Sequence, residues 1–409
     1  MGTFERLAAR GFVKQSTPQA RERLNAGPLT VYAGFDPTAA SLHIGHLLPV
    51  MMLAHLQREG HRPIAVVGGA TAMIGDPTGK DEARQMLTAE TIGANKAVMR
   101  KQLAHFIDFD SEGPNGKALM VDNADWMMGF GYIDFLRDYG VHFPMMTMLN
   151  KASVQDRLKK GMSFLEFNYQ ILQAYDYLAL HRRHGCNLQI GGDDQWGNIV
   201  AGVDLIRRVE QEQADAMTLP LLTTATGQKM GKTVGGAVWL SPTHRARPED
   251  KPVTPYDFYQ YWINVDDADV ARFLKLFTFL PMDEIARLEA LQGAAIREAK
   301  KVLAYEATSI VHGKGEAEKA AKGQVSDDMP IYEAALPEKL VVLLADAKLC
   351  KSRGEARRKI AEGAVRLGSD RSERVTDVDA ALAPERLTED GSVVLWLGRK
   401  KAVRVRTSE

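Results

Sequence analysis

The sequence predicts an α/β fold that begins with a Rossmann-like parallel sheet and continues into an α-helical part and a small α+β unit. Up to about residue 225, short apolar runs alternate with helical segments, which is typical of parallel strands covered on both faces. From Pro255 to about Lys322 the pattern is helical throughout. A stretch of Gly, Ser, Asp and Pro then precedes a last unit. A chain of 409 residues has room for two or three such domains.

The elements follow from the apolar pattern. The predicted strands are 30–35, 64–67, 117–121 and 187–190, and the predicted helices between and after them are 47–59, 90–109, 163–184 and 198–209. The predicted divisions are a first domain over 1–225, a helical domain over 226–322, a linker over 323–337 and a last domain over 338–409. Ligands of parallel sheets bind where loops leave the carboxyl ends of the strands, so we expect a site there.

Composition excludes several classes of protein. Lys+Arg and Asp+Glu are both 52, so no net charge draws the whole molecule onto nucleic acid or anionic lipid. The only cysteines, Cys186 and Cys350, are too few for a disulfide framework and indicate a reducing compartment. No stretch approaches the roughly 18 apolar residues of a membrane span. We therefore expect a cytoplasmic enzyme or binding protein that does not engage membranes.

The first chemical motif is His43-Ile44-Gly45-His46, which follows the predicted strand that ends near Phe35. A helix is predicted to begin within or just after it, and Pro49 would be tolerated in its first turn but would kink its interior. A helix N-terminus attracts anions, and Gly45 would let a flat base approach the backbone. Two imidazoles around a glycine at a strand-to-helix turn therefore predict a phosphate site.

The second motif is the glycine-bearing loop 227–233, which carries Lys229 and Lys232. Lysines are mobile point charges that suit polyphosphate. The spacing is not that of a P-loop, and alone such a loop is usually a solvated surface. Because this loop follows the first motif in order, about 185 residues later, the two motifs together are a specific signal.

Together the motifs indicate a family. His43-Ile44-Gly45-His46 resembles the HIGH signature of class I aminoacyl-tRNA synthetases, and Lys229-Met230-Gly231-Lys232-Thr233 resembles their KMSKS loop. More closely, the chain is similar to the bacterial tyrosyl-tRNA synthetases along nearly its whole length. The matching stretches are 32–38, 67–71, 75–77, 167–176 and 189–198. The loop departs from the consensus at Gly231 and Thr233, and glycine at the first of these positions is familiar in tyrosyl enzymes.

The resemblance implies a tyrosine site that agrees with the chemistry of the residues. A phenol both donates and accepts a hydrogen bond, and Tyr32 and Asp176 can meet it. Asp76, Tyr169 and Gln173 supply acceptors for the substrate ammonium. Tyr169, Gln173 and Asp176 are spaced by four and three, so they share one helix face.

The resemblance also implies an ATP site and the catalytic groups. The implied ATP-binding residues are Gly34, Asp36, Thr38, His43, His46, Gly192, Asp194, Gln195 and Lys232, and the implied catalytic residues are His43, His46, Lys229, Lys232 and Thr233. Lys80 and Arg84 match the family's mobile pyrophosphate-binding pair. Mg²⁺ is expected to arrive bound to ATP, since the sequence has no cluster of protein ligands for a metal.

The last unit indicates RNA. Residues 337–409 contain 16 Lys+Arg against 12 Asp+Glu, and five of those cations lie within 351–359. The expected RNA-binding residues are Lys351, Arg353, Arg357 and Arg358. Such a run is more often a solvated face. Here it resembles the small RNA-binding domain first described in a ribosomal small-subunit protein, which bacterial tyrosyl enzymes use on tRNA.

The resulting expectation is activation of tyrosine with ATP, followed by transfer to the 3′ end of tRNA(Tyr). The resemblance implies that the helical domain over 226–322 contacts the anticodon arm and that the protein is a homodimer, with 126–148 as the expected interface. Three alternatives fit part of the pattern. A tryptophanyl enzyme shares both signatures but lacks an acidic partner for a phenol and normally has no appended RNA-binding unit. A non-catalytic RNA-binding protein on the same scaffold is disfavoured by the intact histidines and lysines. A nicotinamide-dependent oxidoreductase would need a Gly-x-Gly-x-x-Gly turn after the first strand, and that turn is missing.

Overall fold

The computed structural model describes residues 1–75, 88–159, 161–225, 230, 232–233, 236–242, 244, 253–323, 331–368, 371, 373–388, 391–398 and 401–407. The chain divides into two compact units. The first comprises Met1–Val238 and Ala271–Arg287, and the second comprises Trp239–Val270 and Leu288–Glu409.

Helices and strands alternate through the first half of the chain. In order they are α1 (Thr3–Arg10), β1 (Gln15–Ser16), α2 (Ala20–Ala26), β2 (Thr30–Phe35), α3 (Ile44–Arg58), β3 (Arg62–Val67), α4 (Ala89–Leu103), β4 (Leu119–Asp122), α5 (Ala124–Met127), α6 (Tyr132–Asp138), α7 (Met145–Leu149), α8 (Ala152–Leu158), α9 (Phe164–His184), β5 (Cys186–Gly192), α10 (Trp196–Val209), β6 (Asp215–Leu219), β7 (Lys232–Thr233) and β8 (Gly236–Ala237). The later elements are α11 (Pro255–Ile263), α12 (Asp267–Phe277), α13 (Met282–Glu289), α14 (Ile296–His312), α15 (Lys314–Ala321), β9 (Ile331–Ala334), β10 (Glu338–Lys339), α16 (Leu340–Asp346), α17 (Arg353–Ala361), β11 (Val365–Leu367), β12 (Glu373–Val375), β13 (Ala381–Leu382), β14 (Ser392–Leu397) and β15 (Lys401–Thr407).

The first unit is built on a six-stranded sheet with the order β1-β6-β5-β2-β3-β4. All neighbours pair in parallel except β1, which is antiparallel to β6. The chain leaves β2 toward β3 on one side and leaves β5 toward β6 on the other. The strand order therefore reverses between β2 and β5, the place where doubly wound sheets bind their ligands. The predicted parallel α/β class is confirmed.

The predicted strands and helices of this unit are present with shifted ends. α3 begins at Ile44, inside the first motif and three residues before the predicted start, and Pro49 lies within the helix. α4 ends at Leu103 rather than near residue 109. Just beyond it, Asp108 Oδ1 accepts hydrogen bonds from the backbone N–H groups of Asp110 and Ser111. Such local side-chain bonds offer the backbone an alternative to a helix.

The second unit contains α11, α14 and α15 and a five-stranded sheet with the order β12-β11-β14-β15-β9. The sheet and helices α16 and α17 share a hydrophobic core that includes Leu340, Leu344, Ile360, Leu395 and Val405. β9 pairs in parallel with β15 and lies inside the segment predicted as a linker. The last part of the chain therefore has a core of its own, and its sheet begins before residue 338.

No helix among the described residues is both long enough and apolar enough to cross a membrane.

Candidate active site

Two buried polar atoms lie at the point where the strand order reverses. Tyr32 on β2 is in register with Gln189 on β5, so their side chains lie on the same face of the sheet. The side chains are only 2% and 3% exposed. Tyr32 Oη and Gln189 Oε1 are buried and have no hydrogen-bond partner within the described part of the chain. Because buried polar atoms almost always have partners, this pair indicates a place for a polar ligand.

Asp176 lies beside Tyr32 and is buried on α9. Its Oδ1 accepts a hydrogen bond of 2.7 Å from Trp126 Nε1, and its Oδ2 accepts one of 3.0 Å from Asn123 Nδ2. Burial raises the pKa of Asp176 to about 7, the two hydrogen bonds oppose that rise, and Asp36 and Asp122 add to it. Burial likewise raises the pKa of Tyr32, and the neighbouring Asp176 raises it further. The Tyr32 hydroxyl is therefore neutral and available for hydrogen bonding.

Asn123 connects this carboxylate to the loop after β3. It is fully buried, and its Nδ2 also donates to Thr71 Oγ1 at 2.9 Å. Its Oδ1 accepts a hydrogen bond of 2.8 Å from the backbone of Ala70. One amide thus joins β4, the β3 loop and α9 around the Asp176 carboxylate.

The long helix α9 carries the other predicted tyrosine-binding residues. A reciprocal capping box between Ser163 and Glu166 begins the helix, and Gly185 ends it in the left-handed conformation at φ 62°. Tyr169 is buried and also raises the pKa of Tyr32, so the two phenols are neighbours. Gln173 is half-buried, one turn before Asp176 on the same helix. The structure therefore brings Tyr32, Tyr169 and Asp176 together.

The first motif forms the N-terminus of α3. His43 is the N-cap, and its Nδ1 accepts a 3.0 Å hydrogen bond from the backbone N–H of Gly45. His46 Nδ1 accepts a 3.1 Å hydrogen bond from the backbone N–H of His43. The two rings stack with centroids 3.9 Å apart. With both Nδ1 atoms accepting, a neutral ring carries its proton on Nε2, and that N–H can donate to a phosphate oxygen.

Glycine is required next to these histidines for a steric reason. A Cβ on Gly45 would lie 2.8 Å from His43 Cε1 and displace the ring.

A Cβ on Gly68, which follows β3, would lie 2.8 Å from Asp36 Oδ1. The Asp36 carboxylate therefore lies against the start of the β3 loop. Thr38 is exposed, and its backbone N–H donates to Asp36 O at 2.8 Å.

The loop after β5 supplies the third part of the site. Asp193 to Gln195 form a 3₁₀ turn, and Gln195 Oε1 accepts a 3.0 Å hydrogen bond from Asn198 Nδ2. Asp194 is exposed, and a Cβ on Gly192 would lie 2.5 Å from its Oδ1. Gly34 is exposed on β2. These residues lie at the carboxyl edge of the same sheet as Asp36 and the two histidines.

The second motif is described only in part. Lys232 and Thr233 form β7, which pairs with β8, and Val238 O then accepts a 2.9 Å hydrogen bond from the backbone N–H of Ile44. The residue directly after β8 therefore contacts the first residue of α3. The side chains of Lys232 and Thr233 and the whole of Asp76, Lys80, Arg84 and Lys229 lie outside the described residues.

The predicted RNA-binding cations lie just before α17 and along it, and Ser352 is the N-cap of this helix. Lys351, Arg353, Arg357 and Arg358 are all exposed. Ala356 and Ile360 of the same helix are buried in the C-terminal core. The helix therefore presents a basic face to solvent and an apolar face to the sheet.

Three residues of the site were not predicted from the sequence. Gln189 interrupts an apolar strand between Leu188 and Ile190, and that polar interruption was the available signal. Asn123 directly follows the carboxyl end of β4, a position where the side chains of parallel sheets often contact ligands. Trp126 carried no local signal, because its role depends on α9 lying across the sheet.

The sheet, its reversal point and the paired histidine and lysine motifs define a class I tRNA synthetase. The family model described as "tRNA synthetases class I (W and Y)" matches residues 24–325. A second model, "Tyrosine--tRNA ligase SYY-like C-terminal domain", matches residues 322–405.

Relatives are similar along the whole chain. A tyrosine–tRNA ligase of Clostridium tetani is 48% identical over 98% of both chains, and one of Clostridium botulinum is 49% identical over 98% of both. The crystal structure of a C-terminally truncated mitochondrial tyrosyl-tRNA synthetase of Aspergillus nidulans is 30% identical with a TM-score of 0.68, covering 78% of this chain and 92% of that one. The chain belongs to the tyrosine–tRNA ligase family.

Membership settles the expectations made from the sequence about activity. The protein is a ligase of the aminoacyl-tRNA synthetase class that charges tRNA with tyrosine, with tyrosine, ATP and tRNA as its substrates. The predicted resemblance and activity are confirmed, and tyrosine rather than tryptophan is the amino acid.

Proposed function

We propose that tyrosine binds in the pocket between Tyr32, Gln189 and Asp176, with its phenol donating to the Asp176 carboxylate. The orphaned polar atoms Tyr32 Oη and Gln189 Oε1 are the observation that carries this proposal. The oxygen of a bound phenol accepts a hydrogen bond from the Tyr32 hydroxyl, which relieves the cost of burying that donor alone. Tyr169 and Gln173 on α9, with Asp76, then take the substrate ammonium.

The ATP phosphates lie against the N-terminus of α3 in this proposal. His43 and His46 each offer an Nε2–H donor, and the helix dipole adds positive potential at the same place. Asp36 and Thr38 flank the phosphates, while Gly34, Gly192, Asp194 and Gln195 lie near the ribose and α-phosphate. Lys229, Lys232 and Thr233 meet the leaving pyrophosphate together with Lys80 and Arg84. Mg²⁺ enters with ATP as part of that substrate.

The reaction needs positioning more than proton transfer. The tyrosine carboxylate is already ionised, and it attacks the α-phosphorus to form the acyl–phosphate bond as the bond to pyrophosphate breaks. Charge accumulates on the departing pyrophosphate, where the histidines and lysines stabilise it. In the second step a terminal ribose hydroxyl of tRNA attacks the tyrosyl carbonyl carbon, and the bond from that carbon to the phosphate oxygen breaks. AMP leaves with the bonding electrons, and the hydroxyl proton passes to the departing phosphate.

Tyrosine affinity is expected to rise with pH, because a donating phenol favours the ionised form of Asp176. The free protein holds the pKa of this carboxyl at about 7, so binding must release a proton below that pH. The dissociation constant should fall about tenfold between pH 6 and pH 8. Equilibrium titration with tyrosine at several pH values measures it. Tyr32→Phe should keep the slope, and a flat profile for the parental protein would contradict the phenol–Asp176 bond.

The same shift has a matching effect on stability. Because folding raises the pKa of this carboxyl, the protein loses stability as the pH rises from the unfolded pKa of Asp176, near 3.8, to its folded pKa, near 7. The loss is up to about 4 kcal/mol. The free energy of unfolding of the ligand-free parental protein should therefore fall relative to that of Asp176→Asn between about pH 3.8 and pH 7.

We also propose that the protein is a homodimer that works in the cytoplasm. Large apolar side chains are exposed in and just beyond the predicted interface, namely Met128, Tyr132, Ile133, Val141, Met145, Met146, Leu158 and Phe164. Exposed apolar side chains concentrated in one stretch of the chain are typical of an interaction surface, and a second copy would cover them symmetrically. Both cysteines are buried thiols, as suits a reducing compartment. Sedimentation equilibrium measures the dimer.

The exposed cations of α17 are proposed to bind tRNA phosphates. Replacing Lys351, Arg353, Arg357 and Arg358 with Gln should weaken tRNA binding and lower the salt-dependence slope by up to about 0.9 per lost phosphate contact. Pyrophosphate exchange should be unchanged, because that reaction does not involve tRNA. A matched control replaces four exposed cations of the first unit: Lys14, Arg21, Lys101 and Lys117. Equal tRNA affinity in the two variants would show that the α17 run is only a solvated face.

A stronger form of this experiment removes the whole C-terminal part of the chain. The truncated chain should end near Lys322, because β9 belongs to the C-terminal sheet. Tyr256 on α11 contacts the Trp396 ring, with centroids 5.6 Å apart. The cut therefore uncovers Tyr256, and the full-length Gln variant is the cleaner test. Charging should fall steeply in the truncated chain while pyrophosphate exchange continues.

A further inference from the structure

Helix α4 holds the loop between β2 and α3 through two amide side chains. Asn95 is 6% exposed, and its Nδ2 donates to Pro37 O at 2.9 Å. Gln102 Oε1 accepts from the backbone N–H of Leu42 at 2.8 Å. Gln102 Nε2 donates to Ser41 Oγ at 3.0 Å. Ser41 Oγ in turn donates to Leu42 O at 2.7 Å.

The two amides are matched to the loop they hold. Asn95 and Gln102 are seven residues apart, which is two helical turns and about 10.5 Å along one face. Residues 36–42 are neither helix nor strand, so their backbone groups need partners from elsewhere. α4 supplies these partners at both ends of the loop.

The held atoms are next to the residues proposed to meet ATP. Pro37 lies between Asp36 and Thr38, and Leu42 directly precedes His43. A shift at Pro37 or Leu42 must therefore move these three side chains. In the sequence, α4 also follows directly after residues 76–87, which include the proposed pyrophosphate-binding pair.

We propose that Asn95 and Gln102 are positioning residues for adenylate formation, which hold Asp36, Thr38 and His43 in the geometry that the reaction requires. The inference rests on the ATP-binding roles proposed above. Neither amide is among the residues predicted from the sequence, and neither touches substrate in this proposal. Their effect is expected in the rate of the chemical step rather than in tyrosine binding.

The test measures single-turnover adenylate formation in the full-length protein, with rates counted per tyrosine-binding site. Gln102→Leu removes both contacts at the His43 end and should slow the step about 10–100-fold, because small misplacements of reacting groups are costly. Gln102→Glu keeps an acceptor for Leu42 N–H and should recover much of that loss. Asn95→Asp places a carboxylate oxygen against Pro37 O and should slow the step at least about tenfold. Tyrosine affinity should stay within about twofold in all three.

Lys101→Gln is the matched control, since Lys101 is exposed beside Gln102 on the same helix. It should react at the parental rate, and a loss equal to that of Gln102→Leu would overturn the inference. Parental rates in both Gln102→Leu and Asn95→Asp would also overturn it. If Gln102→Leu does not fold, Asn95→Asp, which keeps the side-chain size, decides the question: a parental rate in that variant overturns the inference.

His43→Asn, measured in parallel, separates this inference from the proposed function. If His43→Asn is slow and the α4 variants are not, the positioning role alone is wrong. If His43→Asn reacts at the parental rate, the proposed ATP site is wrong, whatever the α4 variants do.

Discussion

Replacing Asp176 with alanine is expected to lower kcat/KM for tyrosine in pyrophosphate exchange by about 10³ or more. In the proposed tyrosine site, the change removes the acceptor for the substrate phenol. It also leaves Trp126 Nε1 and Asn123 Nδ2, which now bond the carboxylate, buried without partners. Pyrophosphate exchange as a function of tyrosine concentration measures the loss, and an unfolding titration shows how much of it is lost stability.

Tyr32→Phe is the control for this prediction. It removes one hydroxyl from the same pocket and keeps the carboxylate, so it should cost much less and relax the preference for tyrosine over phenylalanine. A pocket built to bond a phenol rejects the analogue that lacks it, because its own buried groups then stay unpaired. An Asp176→Ala variant that still strongly prefers tyrosine would contradict the assignment.

Losing one phosphate-binding group is expected to slow adenylate formation by about 10²–10³ without changing tyrosine affinity. Two variants test this at separate places in the sequence. His43→Asn keeps a good N-cap for α3 and loses the Nε2–H donor, so the helix start survives while the phosphate contact does not. Lys232→Ala removes a charge needed mainly as pyrophosphate departs.

Single-turnover kinetics with saturating tyrosine measures both variants. Because the interaction is strongest in the transition state, the rate constant should fall more than the affinity for ATP. Full rate with weakened tyrosine binding in either variant would show that the residue belongs to the other half of the site.

The sequence predicted most of the first unit because its signals are local. Thr30 to Phe35 form a continuous apolar strand bounded by a turn, and β2 has those bounds. The Ser163–Glu166 capping box lies in the sequence where α9 begins. The histidine motif was placed correctly at a strand-to-helix turn, since a motif whose residues are adjacent needs no tertiary information.

The unpredicted parts depend on contacts between distant segments. Asn123 and Trp126 matter because α9 brings Asp176 to them, across about 50 residues of chain. Asn95 and Gln102 are ordinary helix residues until the loop before α3 lies against them. β9 has only four residues and pairs with a strand about 70 residues later, which local pattern cannot reveal.

In the proposed ATP site, the stacked histidines at the start of α3 have a further consequence for the reaction. Both Nδ1 atoms are engaged by backbone N–H groups of the helix itself, so the ring orientations follow from the helix rather than from free rotamers. Solvent that stabilises a developing charge must first reorient its dipoles, whereas these two N–H dipoles are already oriented when pyrophosphate begins to leave. If the proposed ATP site is right, the same bonds that start the helix lower the reorganisation energy of adenylyl transfer, so that helix formation also preorganises the site.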